Sequence, residues 1–594
     1  MKFFYLFWVL AAGLAAQAQD TGQELGDLQE ELARTGEANP SFSETAALFR
    51  RRPLNLNEAE ESDLQLFPFL NPLQIRSFLT YRRLAGKLLD IYELQAVPGW
   101  DAALVARLLP YVRVADPEPL TRTLLSRLRN GQQAASFRWE RKTAEDGGRY
   151  AGSPVRVQFR YKYTTPQGVQ AGWTGEKDAG EVLLGKGSRP ALDFHSVHFF
   201  ARKLGLVQAL ALGDFTVSLG QGLTHWQSYG NAKSADVLNI KRQSPVLRPY
   251  HGFGEVYFSR GAGLALKRGN WEAAVFLSRR HLDASFTGDS LDDLPVFSSI
   301  SVSGLHRTEE ERARKGNLGY GMYGGAIHYQ QGSLRAGINM VHHRFSAYYI
   351  KEGFQGRNGQ NASMDYAWNW RNLHLFGEAA AGPRGGWAWL HGVLASLHPK
   401  ADLGLLWRHL SPQYRSLWGA AFTEAAAPGN EQGWYAGLRL RPDRHWQLDA
   451  YIDRYRFPAV KYGLDAPGRG QEVLFQATWR PVRGVECYTR LRWEEKENNR
   501  TDTSGNRSFV SGLPRISWRT HLSFSTNTNW NLKQRVEAVW LEDPITQPKT
   551  GFLMYTEAAL RTGAHFRSTI RIQYFQLPGF EGRVYVLEPE LPLH

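Results

Sequence analysis

Three groups of residues have types that could do chemistry. His195-Ser196 with His198 puts a hydroxyl beside imidazoles, the parts of an activated nucleophile and its base. His342-His343 offers adjacent metal-type ligands, and Asp449/Asp453 and Glu494-Glu495 offer paired carboxylates. Ala191 to Lys203 reads as a strand, where successive side chains point to opposite faces, so His195 and Ser196 diverge. Adjacent histidines with no acidic or cysteine partner at ligand spacing are a weak metal signal. The paired carboxylates are more simply solvated or lumen groups. No phosphate-binding loop, dinucleotide fingerprint, His-Glu-x-x-His or nucleophile elbow occurs. The expectation is a protein without a catalytic centre, cofactor or metal.

A fourth group is unusual for its glycines. After the apolar run Leu206 to Leu212 come Gly213, Asp214, Gly220, Gln221, Gly222, His225 and Trp226. Three glycines in ten residues would weaken an ordinary strand and point to a bulge, a sharp bend or close backbone packing. The polar segment 227 to 249 that follows could turn into a lumen as a constriction or plug, or form an outside loop. At membrane depth, irregular backbone must line water or be buried in protein.

The elements that would position these residues are strands. Val155, Val157, Phe159, Tyr161 and Tyr163 alternate with Arg156, Gln158, Arg160 and Lys162, so one face suits lipid and the other water. The same alternation marks Leu532 to Trp540, Phe566 to Tyr574 and Val485 to Trp493, and it sets Cys487 on the apolar face. Turn sequences such as Arg441-Pro442-Asp443-Arg444 separate such segments, while 288–317, 351–364 and 495–508 are the candidates for long outer loops. About two dozen strands fit between 133 and 594, a number within the range of membrane barrels. Residues 582–587 begin another strand, which Glu588-Pro589-Glu590 stops, so the barrel is expected to be incomplete or unusual at its C-terminal end.

Ahead of the strands, Leu54 to Val114 repeats itself at an offset of 30: Asp63/Glu93, Leu64/Leu94, Pro68/Pro98, Ile75/Val105, Leu79/Leu109 and Tyr81/Tyr111 match. Two copies of helix, Pro-containing turn and helix are implied. With Leu54-Asn55-Leu56-Asn57-Glu58-Ala59 in front and Val97-Pro98-Gly99-Trp100 in the second turn, this stretch resembles the helix-hairpin-helix pair of ComEA-type DNA receptors. The resemblance implies a small all-α domain over 51–116 in which backbone N–H groups at helix starts meet DNA phosphates. It makes Val97, Pro98, Gly99, Trp100, Arg76, Arg82, Arg83 and Arg107 the DNA-binding candidates. The turns depart from the family's glycine-rich form. The first reads Phe67-Pro68-Phe69-Leu70-Asn71, without glycine, and Asp101 sets a carboxylate where a phosphate would approach. Nine basic residues against seven acidic ones between Arg50 and Ala115 leave little excess charge for neutralising phosphates. The module therefore reads first as a docking domain and second as a DNA binder.

Residues 1–18 combine Lys2, an apolar run too short to span a bilayer and Ala16-Gln17-Ala18, the form of a cleaved secretory signal. Polar, partly helical sequence fills 19–50, and Asp116-Pro117-Glu118-Pro119 opens a linker at 117–132. The 594 residues include 19 Trp, 25 Tyr, 31 Phe and 58 Gly, with a mean hydropathy of -0.42 and a net charge of +14. An exported chain rich in aromatics and glycine yet polar on average is expected to be a large antiparallel outer-membrane β-barrel, with its helical domain in the periplasm. Outer-membrane lipid and lipopolysaccharide are the expected surroundings, and a periplasmic protein the expected partner. The alternative is a channel or receptor for DNA or another polyanion.

Overall fold

Period-two sequence becomes strand from Gln132 to Gln576 in the computed structural model of the chain. It describes residues 49–50, 53–67, 69–116, 128, 131–141, 149–165, 168–183, 192–228, 233–291, 293–351, 354–425, 427–482, 484–501, 508–525, 530–542, 547–562 and 566–587. The expected signal sequence, nearly all of 19–50, most of the linker and the last seven residues lie outside these.

Among the described residues twenty-four strands order into one closed barrel. Three of them stand off the continuous wall. Trp271–Leu282 pairs directly with Leu318–Gln331, leaving Ala284–Leu291 and Leu294–Ile300 as an added hairpin, and Val207–Val217 pairs with Ser259–Arg268 past the short strand Leu247–Pro249. The registers put the expected faces where alternation placed them. Ile570, Ile572 and Tyr574 are exposed on the outer face, and Arg571 lies across from Glu557 on the inner one.

The two ends differ. At one end, two-residue turns join the strands at 205–206, 269–270, 332–333, 371–372 and 399–400. Gly205, Gly269 and Gly332 supply the positive φ (63°, 59°, 59°) that such tight hairpins require. Long connections gather at the other end. Aromatic pairs ring the outer surface near both: Trp271–Tyr329, Trp368–Trp370 and Trp446–Trp479 by the short turns, Trp387–His409 and Trp389–Trp407 by the long connections. Two aromatic girdles flanking an exposed apolar band are the surface of a transmembrane barrel.

Two of the expected long loops are not loops. Leu334–Lys351 and Phe354–Trp370 run as one long hairpin through 351–364, and Val485–Thr501 pairs with Ser508–Ser525 through most of 495–508. Their polar alternation is strand that continues past the apolar band. Residues 288–317 hold the added hairpin and a short helix, Glu309–Arg314, with Thr308 and Glu311 forming a capping box. Nor do 582–587 form a strand; they lie against the inner wall, where Arg515 and Arg535 donate to the carbonyls of Arg583 and Tyr585.

The module 54–114 is closed on itself by a two-residue parallel pairing, Leu54–Asn55 with Val112–Arg113. The offset of 30 has a local cause at each copy. Asp63 and Glu93 are the third-position partners of equivalent capping boxes, on Glu60 and Asp90. Asn71 and Asp101 are equivalent N-caps, accepting from Gln74 N at 2.9 Å and Leu104 N at 2.8 Å. Leu64, Phe67, Ile75, Phe78, Leu94, Val97, Trp100, Val105 and Leu108 fill the core between the copies.

Candidate functional site: an occupied and covered lumen

The glycine-rich stretch enters the barrel, beginning at a bend where the pairing with Phe194–Leu204 ends. Gly213 has φ 83°, and a β-carbon there would stand 2.3 Å from the Val197 carbonyl. Asp214 accepts from Arg260 Nε at 2.7 Å and Nη2 at 2.9 Å, which anchors the bend. The chain then turns inward through Gly220 (φ 54°) and Gly222 (φ 84°). This turn holds the carboxylate of Glu378 from the wall strand Leu373–Ala381, with Gln221 N at 2.7 Å and Leu223 N at 3.0 Å from Oε2. A β-carbon on Gly220 would lie 2.5 Å from that carboxylate, so the close approach needs glycine. His225 and Trp226 are buried, with the His225 ring 6.1 Å from that of His343.

A second segment, absent from the sequence expectations, meets the first. Residues 411–430, between Ala401–Leu410 and Glu431–Leu440, also fold inward. Tyr414 Oη donates to Leu223 O at 3.0 Å, Trp226 N to Trp418 O at 2.8 Å and Ala420 N to Gly222 O at 2.9 Å. Arg242 from the first segment donates to the carbonyls of Ala420 at 2.7 Å and Ala421 at 3.0 Å. The available signal was Leu417-Trp418-Gly419-Ala420-Ala421-Phe422, an apolar run without strand alternation where an outer loop would be polar.

Ion pairs stitch both segments to the wall. Lys233 Nζ of the first lies 2.5 Å from Glu424 of the second and 3.0 Å from both Asp453 and Glu472 of the wall. Arg408 spans Glu431 at 2.6 Å and Asp453 at 2.9 Å, all three nearly inaccessible. A buried charge of this kind persists only when paired, so the network fixes one arrangement of plug and wall.

The helical module covers the short-turn end. The Asp63 carboxylate contacts Arg202 and Lys203 at the turn between Phe194–Leu204 and Val207–Val217. Glu60 accepts from Gln208 Nε2 at 2.9 Å, Leu70 O from Gln243 Nε2 at 3.1 Å, and Asp101 lies 3.4 Å from Arg441. Leu73, on the first turn of Pro72–Ala85, packs on the lumen cluster of Leu223, Leu238, Ile240 and Leu394. Burial alone would raise the Asp63 carboxyl, but the charges of Arg202 and Lys203 outweigh it and hold it below the ordinary carboxylate value.

The DNA-binding candidates lie in different surroundings. Val97 and Trp100 are core residues; Trp100 Nε1 donates to Gln74 O at 2.9 Å and its ring stacks on Phe78. Arg82 donates to the Leu56 carbonyl, and Arg107 lies 4.2 Å over the Phe69 ring. Arg76 is half-buried, while Arg83, Pro98 and Gly99 are exposed. Asp101 caps its own helix and faces Arg441. Both hairpin turns contact the barrel, through Leu70 and Asp101.

The catalytic possibilities separate in the same way. His195 is exposed on the outer face and Ser196 buried on the inner, and His343 bonds Tyr320 Oη at 2.7 Å while the His342 ring lies tilted against that of its register partner Tyr323. Asp449 pairs with Arg439, and Glu494 with Lys496. Among the described residues one cluster has metal-type ligands, Glu181, Asp193 and His306 in the long connections. There His306 bonds Asp193 at 2.5 Å and Asp283 at 2.8 Å, and Lys315 also holds Asp193. Burial would lower the imidazole, but the two carboxylates overcome it and raise it to about 10, so it is a charged latch between connections.

No family model and no curated protein matches the chain. Solved structures similar to it are outer-membrane barrels. OprD from Pseudomonas aeruginosa matches at 10% identity and a TM-score of 0.31, over 61% of this chain and 86% of that one. Wzi from Escherichia coli, described as a carbohydrate-binding β-barrel involved in group 1 capsule assembly, matches at 10% and 0.31, over 84% and 97%. OccAB3 from Acinetobacter baumannii matches at 8% and 0.29, over 75% and 98%.

Proposed function

We propose that this chain is a non-enzymatic outer-membrane barrel in a closed state, whose N-terminal helical module is a periplasmic lid docked on its own barrel. The observation that carries the reading is the contact of Asp63 with Arg202 and Lys203, joined by Glu60–Gln208 and Asp101–Arg441. Acidic groups of the module meet basic groups at the short-turn end, and Leu73 packs on the lumen cluster. Charge complementarity of this kind fixes orientation as well as contact. Gly213, Asp214, Gly220, Gln221, Gly222, His225 and Trp226 belong to the constriction behind the lid, which 411–430 completes.

Two features support a closed resting state. The inward segments are tied to the wall by buried ion pairs, and the lid lies across the mouth where short turns offer no loops of their own. Opening requires release of the lid and movement of the inward segments. A periplasmic protein that competes for Asp63 and Asp101 would supply the release, which is the docking role that the degenerate hairpins suit.

The alternative, a DNA receptor acting through the module, is favoured by one feature: Gly99 is exposed at a helix start with φ 79° and open space around it. The test is fluorescence anisotropy of duplex DNA with the full-length protein across a salt series. The lid reading predicts no saturable binding at low salt. Saturable binding that weakens steeply with salt and is lost in Arg83→Ala would move the assignment to the receptor.

A further inference from the structure

On the outer face of the barrel, the aromatic girdle beside the long connections gives way to arginine. Following it by register from Trp407 to Trp434, the next strand, Trp446–Phe457, places Arg454 at the same level and Arg456 two residues nearer the long connections. Both point outward, because Asp449, Tyr451, Asp453, Tyr455 and Phe457 take the inner face of that strand. On the following strand, Gly468–Trp479, Arg469 is the register partner of Arg456. All three arginines are exposed. The apolar band begins at the next outward position, where Ile452 stands between Ala436 and Val473.

These guanidiniums are oriented with little neutralisation. Arg456 donates to Gln432 Oε1 from Nε at 2.9 Å and from Nη2 at 2.6 Å, a neutral acceptor whose amide nitrogen lies 3.1 Å from His409 Nε2. Arg469 meets Glu497 at 3.2 Å while its side chain stays 83% exposed. The Arg454 guanidinium has no partner among the described residues. The first outward carboxylate along its register line is Glu495, two strands away and accepting from Gln471 Nε2 at 2.9 Å. Like charges directly opposite on neighbouring strands destabilise a sheet. Arg456 and Arg469 stand about 5 Å apart at Cα, with Arg454 about 6.6 Å along the strand. An anion seated among the three offsets that repulsion.

We propose that Arg454, Arg456 and Arg469 form a binding site for the phosphorylated sugar headgroup of an outer-leaflet glycolipid, whose acyl chains lie along the apolar band beside Trp434. Phosphate oxygens accept charge-assisted bonds from guanidinium in the planar, two-point geometry that arginine provides. Free phosphate lacks the chains that pack on exposed Trp434 and Val473. A phospholipid with a single phosphodiester brings one charge where three arginines engage several. The site rests on the orientation of the proposed reading, with the short turns in the periplasm and the long connections outside, and it does not depend on whether the lid is docked.

The test is native mass spectrometry of purified full-length protein in detergent, titrated with diphosphoryl lipid A, with dephosphorylated lipid A and phosphatidylglycerol as further probes and inorganic phosphate as competitor. Saturable binding of diphosphoryl lipid A is expected, at least fivefold tighter than that of either other lipid and not displaced by an equal concentration of inorganic phosphate. Arg454→Gln with Arg456→Gln and Arg469→Gln should weaken it at least tenfold. Arg454→Gln alone, which removes no side-chain contact within the described chain, should weaken it at least threefold. Resistance to unfolding in unheated SDS shows whether each variant is folded, and the single variant decides if the triple one is not. The proposal is overturned by absence of lipid A binding, by unchanged affinity of the folded variants, by equal binding of the dephosphorylated lipid or phosphatidylglycerol, or by displacement with phosphate. Purified protein makes the result independent of which end faces outward, and the Glu60/Gln208 cross-link described below reports on the lid alone, so failure of either idea is separable from the other.

Discussion

Single residues hold the lid and the plug, and each has a distinct signature. Asp63 is buried against Arg202 and Lys203, so Asp63→Ala should weaken docking by about 2 kcal/mol, the scale of hydrogen bonds to charged groups. Hydrogen exchange across 203–208 should rise accordingly. Because the folded Asp63 pKa lies below its ordinary value, its contribution is fully present above about pH 4 and is lost as pH falls through the depressed value. Docking should thus survive mild acid and fail in stronger acid. Trp100→Ala removes a stacked core ring and should cost the module about 3–5 kcal/mol in urea unfolding, an effect a surface DNA contact would not have. The glycines allow a matched comparison. Gly205 and Gly222 both have positive φ, but a β-carbon meets nothing near Gly205 and stands 2.8 Å from the Ala420 carbonyl at Gly222. Gly205→Ala should cost roughly 1 kcal/mol and Gly222→Ala clearly more, read from denaturation midpoints.

At the scale of elements, strands were legible wherever apolar and polar residues alternate, because a wall between lipid and water imposes that period. The 30-residue repeat was legible because each copy spends the same kinds of residue on caps and core: Asp63 and Glu93, Asn71 and Asp101, Ile75 and Val105. Strand ends beyond the apolar band were not. In 351–364 and 495–508 both faces are polar, which leaves no period to separate strand from loop. Segment 411–430 was missed for the opposite reason, since its apolar residues pack on another inward segment and follow no period. Asp101 stands where the family's turn has a glycine, and its carboxylate caps its own helix, a role that spacing alone does not reveal. The latch between the long connections makes its own prediction. His306 is raised to about 10, so its contribution is complete below about pH 6.5 and is lost as pH rises through 10; Asp193 and Asp283 are depressed, so theirs is lost as pH falls below about 4. Protease resistance of 301–317 should therefore hold between those limits and fall outside them, and His306→Ala should abolish the plateau.

For the whole molecule, the account is a barrel filled from one side by two inward segments and covered at the short-turn end by a helical lid. Removing one barrier should not open it. Full-length protein, Asp63→Arg and a variant with 411–430 replaced by a short polar turn should each pass little current in planar bilayers, and the combination should conduct. The most direct measurement of the central claim is cysteine cross-linking in intact outer membranes, with Cys487 replaced by serine. Glu60 and Gln208 meet at 2.9 Å, whereas Leu89 lies on an exposed part of the module. The account predicts that Glu60→Cys with Gln208→Cys forms a disulfide in most molecules under mild oxidation and that Leu89→Cys with Gln208→Cys does not. No cross-link in the first pair, or equal yields in both, would contradict it.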